Sequence, residues 1–375
     1  MKVGIDIRLI GKNQTGSEVY FFNLAKNLAT IDRENEYYFY TDRDPEKDHV
    51  LKEEVRKLKL GDNIKIVYIK SPNRFWWNFW ALRNHLKKNP VDVFHTQYIA
   101  PFWLPKNIKL VLTVHDVSFN FFPQYIKRSD LFFLKTLLPR SIRRADKIIT
   151  VSESERKNIL DFYKIPPEKI EFTYNGVDFE KFSQNCSPEE IKKIHTKYQI
   201  PDTRYALYIG TLQPRKNIPV IIEAMKTLGI KLVLAGNRNA HNFDKKIDEA
   251  IEKNNLKDKV IFPGWIGEDD KSALLQSAEC FVFPSLYEGF GIPVIEAMAA
   301  GTPVACSNIP VLREIGGDAA LFCDPKNSHE FAENISKILD DENLRKNLIK
   351  IGQETAQKFT WRKTAEKTLE IYKNL

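Results

Sequence analysis

Cysteine is scarce. Cys186, Cys280, Cys306 and Cys323 are the only four in 375 residues, and no two stand in a Cys-x-x-Cys pair. A disulfide framework or a zinc site is therefore not expected. The four read as reduced, mostly buried small hydrophobes of a cytosolic protein. No apolar run approaches the roughly 18 residues of a membrane-spanning helix. The chain goes straight into a strand-like Lys2–Ile7 without a signal-peptide pattern, which points to the cytoplasm. No helix-turn-helix, zinc finger or other nucleic-acid module is present, so nucleic acid is not an expected partner. Low-complexity tracts and short-period repeats are also missing, as is a full Gly-x-Gly-x-x-Gly.

What is present is an ordinary globular composition, 43% hydrophobic and 28% charged, in a length that suits two to three domains. The charge is unevenly placed. Residues 1–183 hold 31 Lys+Arg against 23 Asp+Glu, which accounts for the whole net charge of +8. Two readings stay open: a solvated basic surface, or attraction to an anionic membrane or acceptor.

Short apolar runs alternate with helix-length segments, the pattern of parallel sheets with crossover helices. The first half offers Lys2–Ile7, Tyr37–Thr41, Lys65–Ile69, Val91–Thr96, Leu110–Val114, Lys147–Val151 and Ile170–Tyr174 as strands. The second restarts with Tyr205–Ile209, Lys231–Ala235, Lys259–Phe262, Cys280–Pro284, Pro303–Ser307 and Ala320–Asp324. Several are near-continuous Val/Ile/Phe/Tyr runs, as strands covered on both faces require. The fold class predicted is α/β with two doubly wound domains: 1–178, a linker at 179–203, and 204–359. The last fifty residues read as helices. In Thr360–Leu375 the apolar residues Trp361, Ala365, Leu369 and Tyr372 recur at helical spacing. Doubly wound domains bind ligands at the carboxyl ends of their strands, so informative residues should follow strands directly.

Three strand-to-helix loops meet that condition. After Cys280–Pro284 come Glu288, Gly289, Phe290 and Gly291, then Pro293 and Glu296 in the first turns of a helix. Glycines let backbone approach a ligand, and amides at a helix start meet anions. After Tyr205–Ile209 come Gly210, Thr211, Arg215 and Lys216, two adjacent cations suited to a diphosphate. After Lys2–Ile7 lies Gly11–Glu18, containing Gly16, which by itself is an ordinary turn. His115 directly follows a further apolar strand.

The Glu288-x7-Glu296 string, preceded by Phe-Val-Phe-Pro-Ser and followed by Ala-Met-Ala-Ala-Gly-Thr-Pro-Val, resembles the retaining glycosyltransferases of family 4, which have the GT-B fold. Thr113–Asp116, Ala145–Ser152 and Asn175–Asp178 extend the likeness over essentially the whole chain, and it is nearest to bacterial mannosyltransferases of surface-polysaccharide assembly. The resemblance implies two Rossmann-like domains facing a central cleft, with the final helix, 360–375, crossing back to the N-terminal domain. It implies that the first domain takes a glycan or lipid-linked glycan acceptor, and the second a nucleotide diphosphate sugar. It places Glu288 and His115 beside the reacting sugar, Glu296 on the ribose, and Gly210, Thr211, Arg215, Lys216, Gly289, Phe290 and Gly291 around the donor. Gly16 is carried over as a backbone contact, although many members have a double glycine where this chain has Thr15-Gly16. Retention, the absence of a metal or other cofactor, and GDP-mannose as first donor are further expectations. A nucleotide-sugar 2-epimerase of the same architecture, or a catalytically silent sugar-nucleotide-binding protein, are the alternatives.

Two motifs stand outside this scheme. Asp42-Arg43-Asp44 looks like the metal-binding Asp-x-Asp of other transferases, but three residues in a polar, proline-containing loop read as solvated. Asn73–Arg83 sets Phe75, Trp76, Trp77, Phe79 and Trp80 among basic residues, on too many faces for one stripe, so some belong to the core. With the basic residues of 127–147 it marks a place for peripheral contact with the inner face of an anionic membrane.

Overall fold

The computed structural model describes residues 1–12, 16–240 and 242–375. The chain divides into two compact units. The first comprises Met1–Phe121, Ile126–Gly176 and Trp361–Leu375; the second comprises Phe122–Tyr125 and Val177–Thr360.

The first unit is built on β1 (Lys2–Asp6), β2 (Glu36–Thr41), β3 (Ile64–Tyr68), β4 (Val93–Gln97), β5 (Lys109–Thr113), β6 (Lys147–Thr150) and β7 (Ile170–Phe172). They pair in parallel in the order β3-β2-β1-β4-β5-β6-β7. The second unit holds β8 (Tyr205–Ile209), β9 (Lys231–Ala235), β10 (Val260–Gly264), β11 (Cys280–Phe283), β12 (Val304–Ser307) and β13 (Ala320–Cys323), parallel in the order β10-β9-β8-β11-β12-β13. Every expected strand forms, within two residues of its expected bounds.

Parallel pairing demands crossover helices, and these cover both faces of each sheet. Val3, Ile5, Phe39, Phe94, Leu110 and Leu112 are inaccessible in the first sheet; Leu207, Leu232, Leu234, Phe281 and Phe283 are so in the second. Cys280, Cys306 and Cys323 are buried, Cys186 is partly exposed, and all four thiols are free. In each sheet the strand order reverses beside the first strand: β1 lies between β2 and β4, and β8 between β9 and β11. Such a reversal opens a crevice at the carboxyl ends of the strands.

The stretch 179–203, expected as linker, is counted with the second unit and is not extended. Asp178 caps the helix Phe179–Ser183, and a reciprocal capping box of Ser187 and Glu190 starts the helix Pro188–Lys197. Gln276 Nε2 and Ser272 Oγ donate to the Phe182 carbonyl at 2.9 and 3.2 Å, tying the segment down.

The last helix, Trp361–Lys373, belongs to the first unit and packs on the helix Gly16–Ile31. Its buried seam differs slightly from the expected one. Trp361, Thr364, Ala365, Thr368, Ile371 and Tyr372 are buried, whereas Leu369 is half-buried. The threonines on this face are satisfied in place: Thr364 Oγ1 donates to Tyr174 O at 2.6 Å and Thr368 Oγ1 to Thr364 O, one turn back in the same helix, at 2.7 Å. Tyr372 is fixed by a 2.5 Å hydrogen bond between its hydroxyl and His95 Nδ1.

Candidate active site

In the second unit the two loops flanking the strand reversal, after β8 and after β11, are stitched together. Leu286 N donates to Arg215 O at 3.0 Å, and the Arg215 guanidinium donates to the Tyr287 carbonyl. Asn217, in the left-handed region at φ 57°, ends the turn Pro214–Lys216. Its side chain donates to Pro284 O at 3.1 Å and Pro325 O at 2.6 Å. Asparagine tolerates that backbone conformation, and here its amide also clamps two neighbouring loops.

This stitching brings Arg215, Lys216 and Glu288 together. Lys216 Nζ lies 2.5 Å from Glu288 Oε1, Arg215 NH1 lies 3.7 Å from Oε2, and all three side chains are at most 16% exposed. Burial works to raise the Glu288 pKa, but Lys216 and Arg215 outweigh it and hold the carboxyl below its ordinary value. The trio carries one net positive charge in a place of low water content, where charge-assisted contacts are strong. Tyr208 supports the floor: its ring stacks on Phe283 and its hydroxyl donates to Thr211 O at 2.9 Å. Phe283 in turn lies under the Lys216 ammonium, 5.2 Å away.

Gly291, at φ +111°, caps the helix Ile292–Ala299. A side chain there would be strained and would meet Leu312 at 2.9 Å. The Phe290 side chain is buried, its ring edge-on to Phe359. Beside Gly210 runs Gly236, at the end of β9. A Cβ on Gly236 would stand 2.3 Å from the Gly210 carbonyl oxygen, so these two backbones touch only because that position is glycine.

Glu296 has a different cation. Lys271 Nζ lies 3.3 and 3.5 Å from its two carboxyl oxygens and 2.8 Å from Glu268. Burial pushes the Glu296 carboxyl up, Lys271 draws it back, and Glu268 adds a further upward push. Burial would discharge Lys271, yet the two carboxylates hold its pKa above the ordinary lysine value. The two glutamates thus sit in separate ion pairs and do not form a shared-proton acid pair.

In the first unit His115 lies two residues beyond the end of β5 and is 8% exposed. Its Nε2 lies 3.1 Å from Gln97 Oε1, and Tyr20 meets the ring edge-on. Burial lowers its pKa to about 4, against a smaller upward pull from Asp116. The imidazole is therefore neutral near pH 7. With the amide oxygen accepting, Nε2 carries the proton and Nδ1 is an acceptor. Asp116 is a local cap: its Oδ1 accepts from Ser118 N at 3.0 Å and Ser118 Oγ at 2.7 Å.

Gly16 opens its helix and is exposed, with nothing within 4 Å of a Cβ built there. Among the described residues of this loop Gly11 adopts the left-handed region, at φ +74°. Asn13, Gln14 and Thr15 lie outside the described residues. The Asp-x-Asp carboxylates are engaged locally: Asp42 with Lys12 at 3.2 Å, and Asp44 with Glu46 N at 3.1 Å. No group of three or more metal-ligating side chains occurs among the described residues.

Sequence reasoning missed Lys271, Glu268 and Gly236, and it gave no role to Asn217, which ends the Gly210–Asn217 loop motif. Gly236 had a readable signal, a glycine directly after the apolar strand Lys231–Ala235. Lys271 had none, since Glu268-Asp269-Asp270-Lys271 looks like solvated surface.

Comparison with known proteins identifies the family. Residues 14–181 match the family model of Glycosyltransferase Family 4, and residues 190–355 that of Glycosyl transferases group 1. The O-antigen chain mannosyltransferase B of Escherichia coli is 32% identical over 304 residues, 79% of this chain and 77% of that protein. The O-antigen chain mannosyltransferase RfbU of Salmonella typhimurium is 30% identical, over 70% of this chain and 69% of its own. Among solved structures, sucrose-phosphate synthase of Thermosynechococcus elongatus shares the fold at TM-score 0.78 and 20% identity, covering 100% of this chain and 98% of that one. HepE of Anabaena, in complex with UDP and glucose, does so at TM-score 0.77 and 18% identity over the whole of both chains. Matched to these families through both of its units, the chain belongs to glycosyltransferase family 4 and has the GT-B fold.

Proposed function

We propose that this glycosyltransferase moves mannose, with retention and without a metal ion, from GDP-mannose to a glycan or lipid-linked glycan acceptor. The observation that carries the donor site is the Arg215–Lys216–Glu288 cluster at the β8/β11 strand reversal. Its two cations suit the diphosphate, and they would stabilise charge developing on the leaving phosphate. Glu288, kept ionised by them, faces the reacting sugar. Glu296, oriented by Lys271, holds the ribose. The amides of Gly289, Phe290 and Gly291 line the approach to the sugar and diphosphate, and Gly210 and Thr211 border them. His115 offers a neutral imidazole to the reacting groups, and Gly16 a backbone amide. The leaving phosphate accepts the acceptor's proton as the new bond forms on the same face of the sugar. Mannose is favoured by the names of the O-antigen relatives. A thermal-shift screen of nucleotide sugars followed by transfer of labelled sugar tests the reading; GDP-mannose should give the largest shift and a labelled product. A larger shift and turnover with a UDP-sugar would reassign the donor.

Activity is expected to survive EDTA, because cationic side chains and helix-start amides meet the phosphate charge. Loss of turnover in chelator, restored by Mn²⁺ or Mg²⁺, would return Asp42 and Asp44 to consideration.

Lys271→Met should raise the donor KM while kcat changes little. Without its cation Glu296 titrates higher still, so the KM increase should be largest at low pH and shrink as pH rises. Lys271→Arg should restore most of the wild-type KM. A pH-independent loss of kcat would remove Glu296 and Lys271 from the ribose site.

A further inference from the structure

One face of the first unit keeps large apolar rings in water. Phe75, Trp76, Trp80, Trp103 and Phe132 are 40, 49, 46, 58 and 64% exposed. They come from three separate stretches: the helical segment beginning at Arg74, the loop after β4, and the helix Arg128–Arg144. A π-helical turn at Trp77–Ala81 makes this display possible. Trp77 is fully buried beneath the Arg8 guanidinium and anchors the turn. Trp76 and Trp80 stack on each other outside, centroids 5.2 Å apart. Scattered single apolar residues on a surface need no explanation, but a contiguous group this large marks a contact site.

Between the rings opens an apolar cavity of about 160 Å³, walled by Phe75, Phe79, Phe102, Phe133, Leu134 and Leu137. Its charged wall residues are Arg74 and Asp130, paired with each other at 3.1 Å. Cations are interleaved with the aromatics. Arg74 lies 5.3 Å over Phe75, Arg140 4.8 Å over Phe102 and Arg83 5.8 Å over Trp103. Residues 70–147 carry fourteen Lys+Arg against four Asp+Glu, an excess larger than that of the entire chain. Three of the four acids are engaged away from the cavity: Asp92 with Lys2 N, Asp116 with Ser118 and Asp146 with Arg144.

These features select among occupants. A second copy of the face would set this positive charge against itself. A neutral glycan would use the rings and leave the cations without a counterpart. An anionic bilayer answers both, because aromatic rings favour the headgroup–acyl boundary and arginines favour lipid phosphates. Among the described residues no helix is long and apolar enough to cross a membrane, so such contact is made at the surface.

We propose that this face docks the protein on an anionic phospholipid bilayer, with Trp76, Trp80, Trp103 and Phe132 in the headgroup–acyl boundary and the cavity open to an acyl chain. The inference does not depend on which sugar is transferred or on the donor-site assignment. Sedimentation of the full chain with vesicles of phosphatidylcholine alone, or mixed with phosphatidylglycerol, tests it. Binding is expected on the mixed vesicles, falling steeply with added salt. Lys135→Glu/Arg140→Glu should weaken it by roughly fivefold or more per cation altered. Trp76→Ser/Trp80→Ser/Phe132→Ser should also weaken it, by about tenfold. Lipids brominated in the acyl chain should quench tryptophan fluorescence in the wild type and much less in the triple variant. Both variants should keep the wild-type thermal midpoint and its shift with nucleotide. Absence of wild-type binding to the mixed vesicles, equal binding by wild type and variants, or no quenching by the brominated acyl chains would overturn the proposal. So would a concentration-dependent dimer that the same variants abolish.

Discussion

Lys216→Ala and Arg215→Ala should each lower kcat/KM for the donor about ten- to a hundredfold, the effect of losing one charge-assisted contact worth roughly 1.5–3 kcal/mol. The structure adds a consequence for stability. Lys216 is the nearer cation to a carboxylate with only 10% of its side chain exposed. Its removal leaves Glu288 facing Arg215 at 3.7 Å, so the thermal midpoint of Lys216→Ala should fall. The double variant Lys216→Met/Glu288→Gln removes both charges and should recover stability without recovering turnover. Because Glu288→Gln lowers turnover by itself, the role of Lys216 is read from nucleoside diphosphate affinity, which should stay weak in the double variant for a donor-binding cation and return with the thermal midpoint for a purely structural one. Wild-type kinetics in both single variants, or nucleoside diphosphate affinity that returns with the thermal midpoint, would contradict the assignment.

Glu288→Gln should lower kcat by roughly 10²–10³, while Glu296→Gln should act chiefly through KM. Positive charge develops on the reacting sugar in an oxocarbenium-like transition state, and a carboxylate stabilises it where an amide does not. The electrostatics of the two sites differ in the required direction. Two cations overcome burial at Glu288 and keep it charged, whereas burial and Glu268 push Glu296 up against a single lysine. Steady-state kinetics over a range of donor concentrations separates the two effects. Equal losses of kcat would show that the two roles are misassigned.

The sheets were legible because each strand is a short apolar run covered on both faces, so local composition reports burial directly. Tyr205–Ile209 and Lys231–Ala235 form with the bounds expected. Loop motifs after β8 and β11 were legible for a second reason: strand-end position and chemistry agree there. What stayed hidden depends on contacts between distant residues. Lys271 acts on Glu296 from a stretch that looks solvated, and Asn217 clamps Pro284 and Pro325, which are far away in sequence. The final helix was placed on the first unit, but its seam turned toward Thr364 and Thr368, whose hydroxyl partners no apolar count reveals. In Asn73–Arg83 the spread of aromatics was readable. Which ring is buried, Trp77, was not, because the π-helical turn breaks the regular helical period.

A crystal structure of the full chain with a nucleoside diphosphate tests the donor-site assignment most directly. The account predicts diphosphate oxygens within hydrogen-bond distance of Lys216 Nζ and the Arg215 guanidinium, with the ribose hydroxyls on Glu296 and no metal between phosphate and protein. A diphosphate held through a metal on Asp42 and Asp44, or bound away from the loops after β8 and β11, would contradict it.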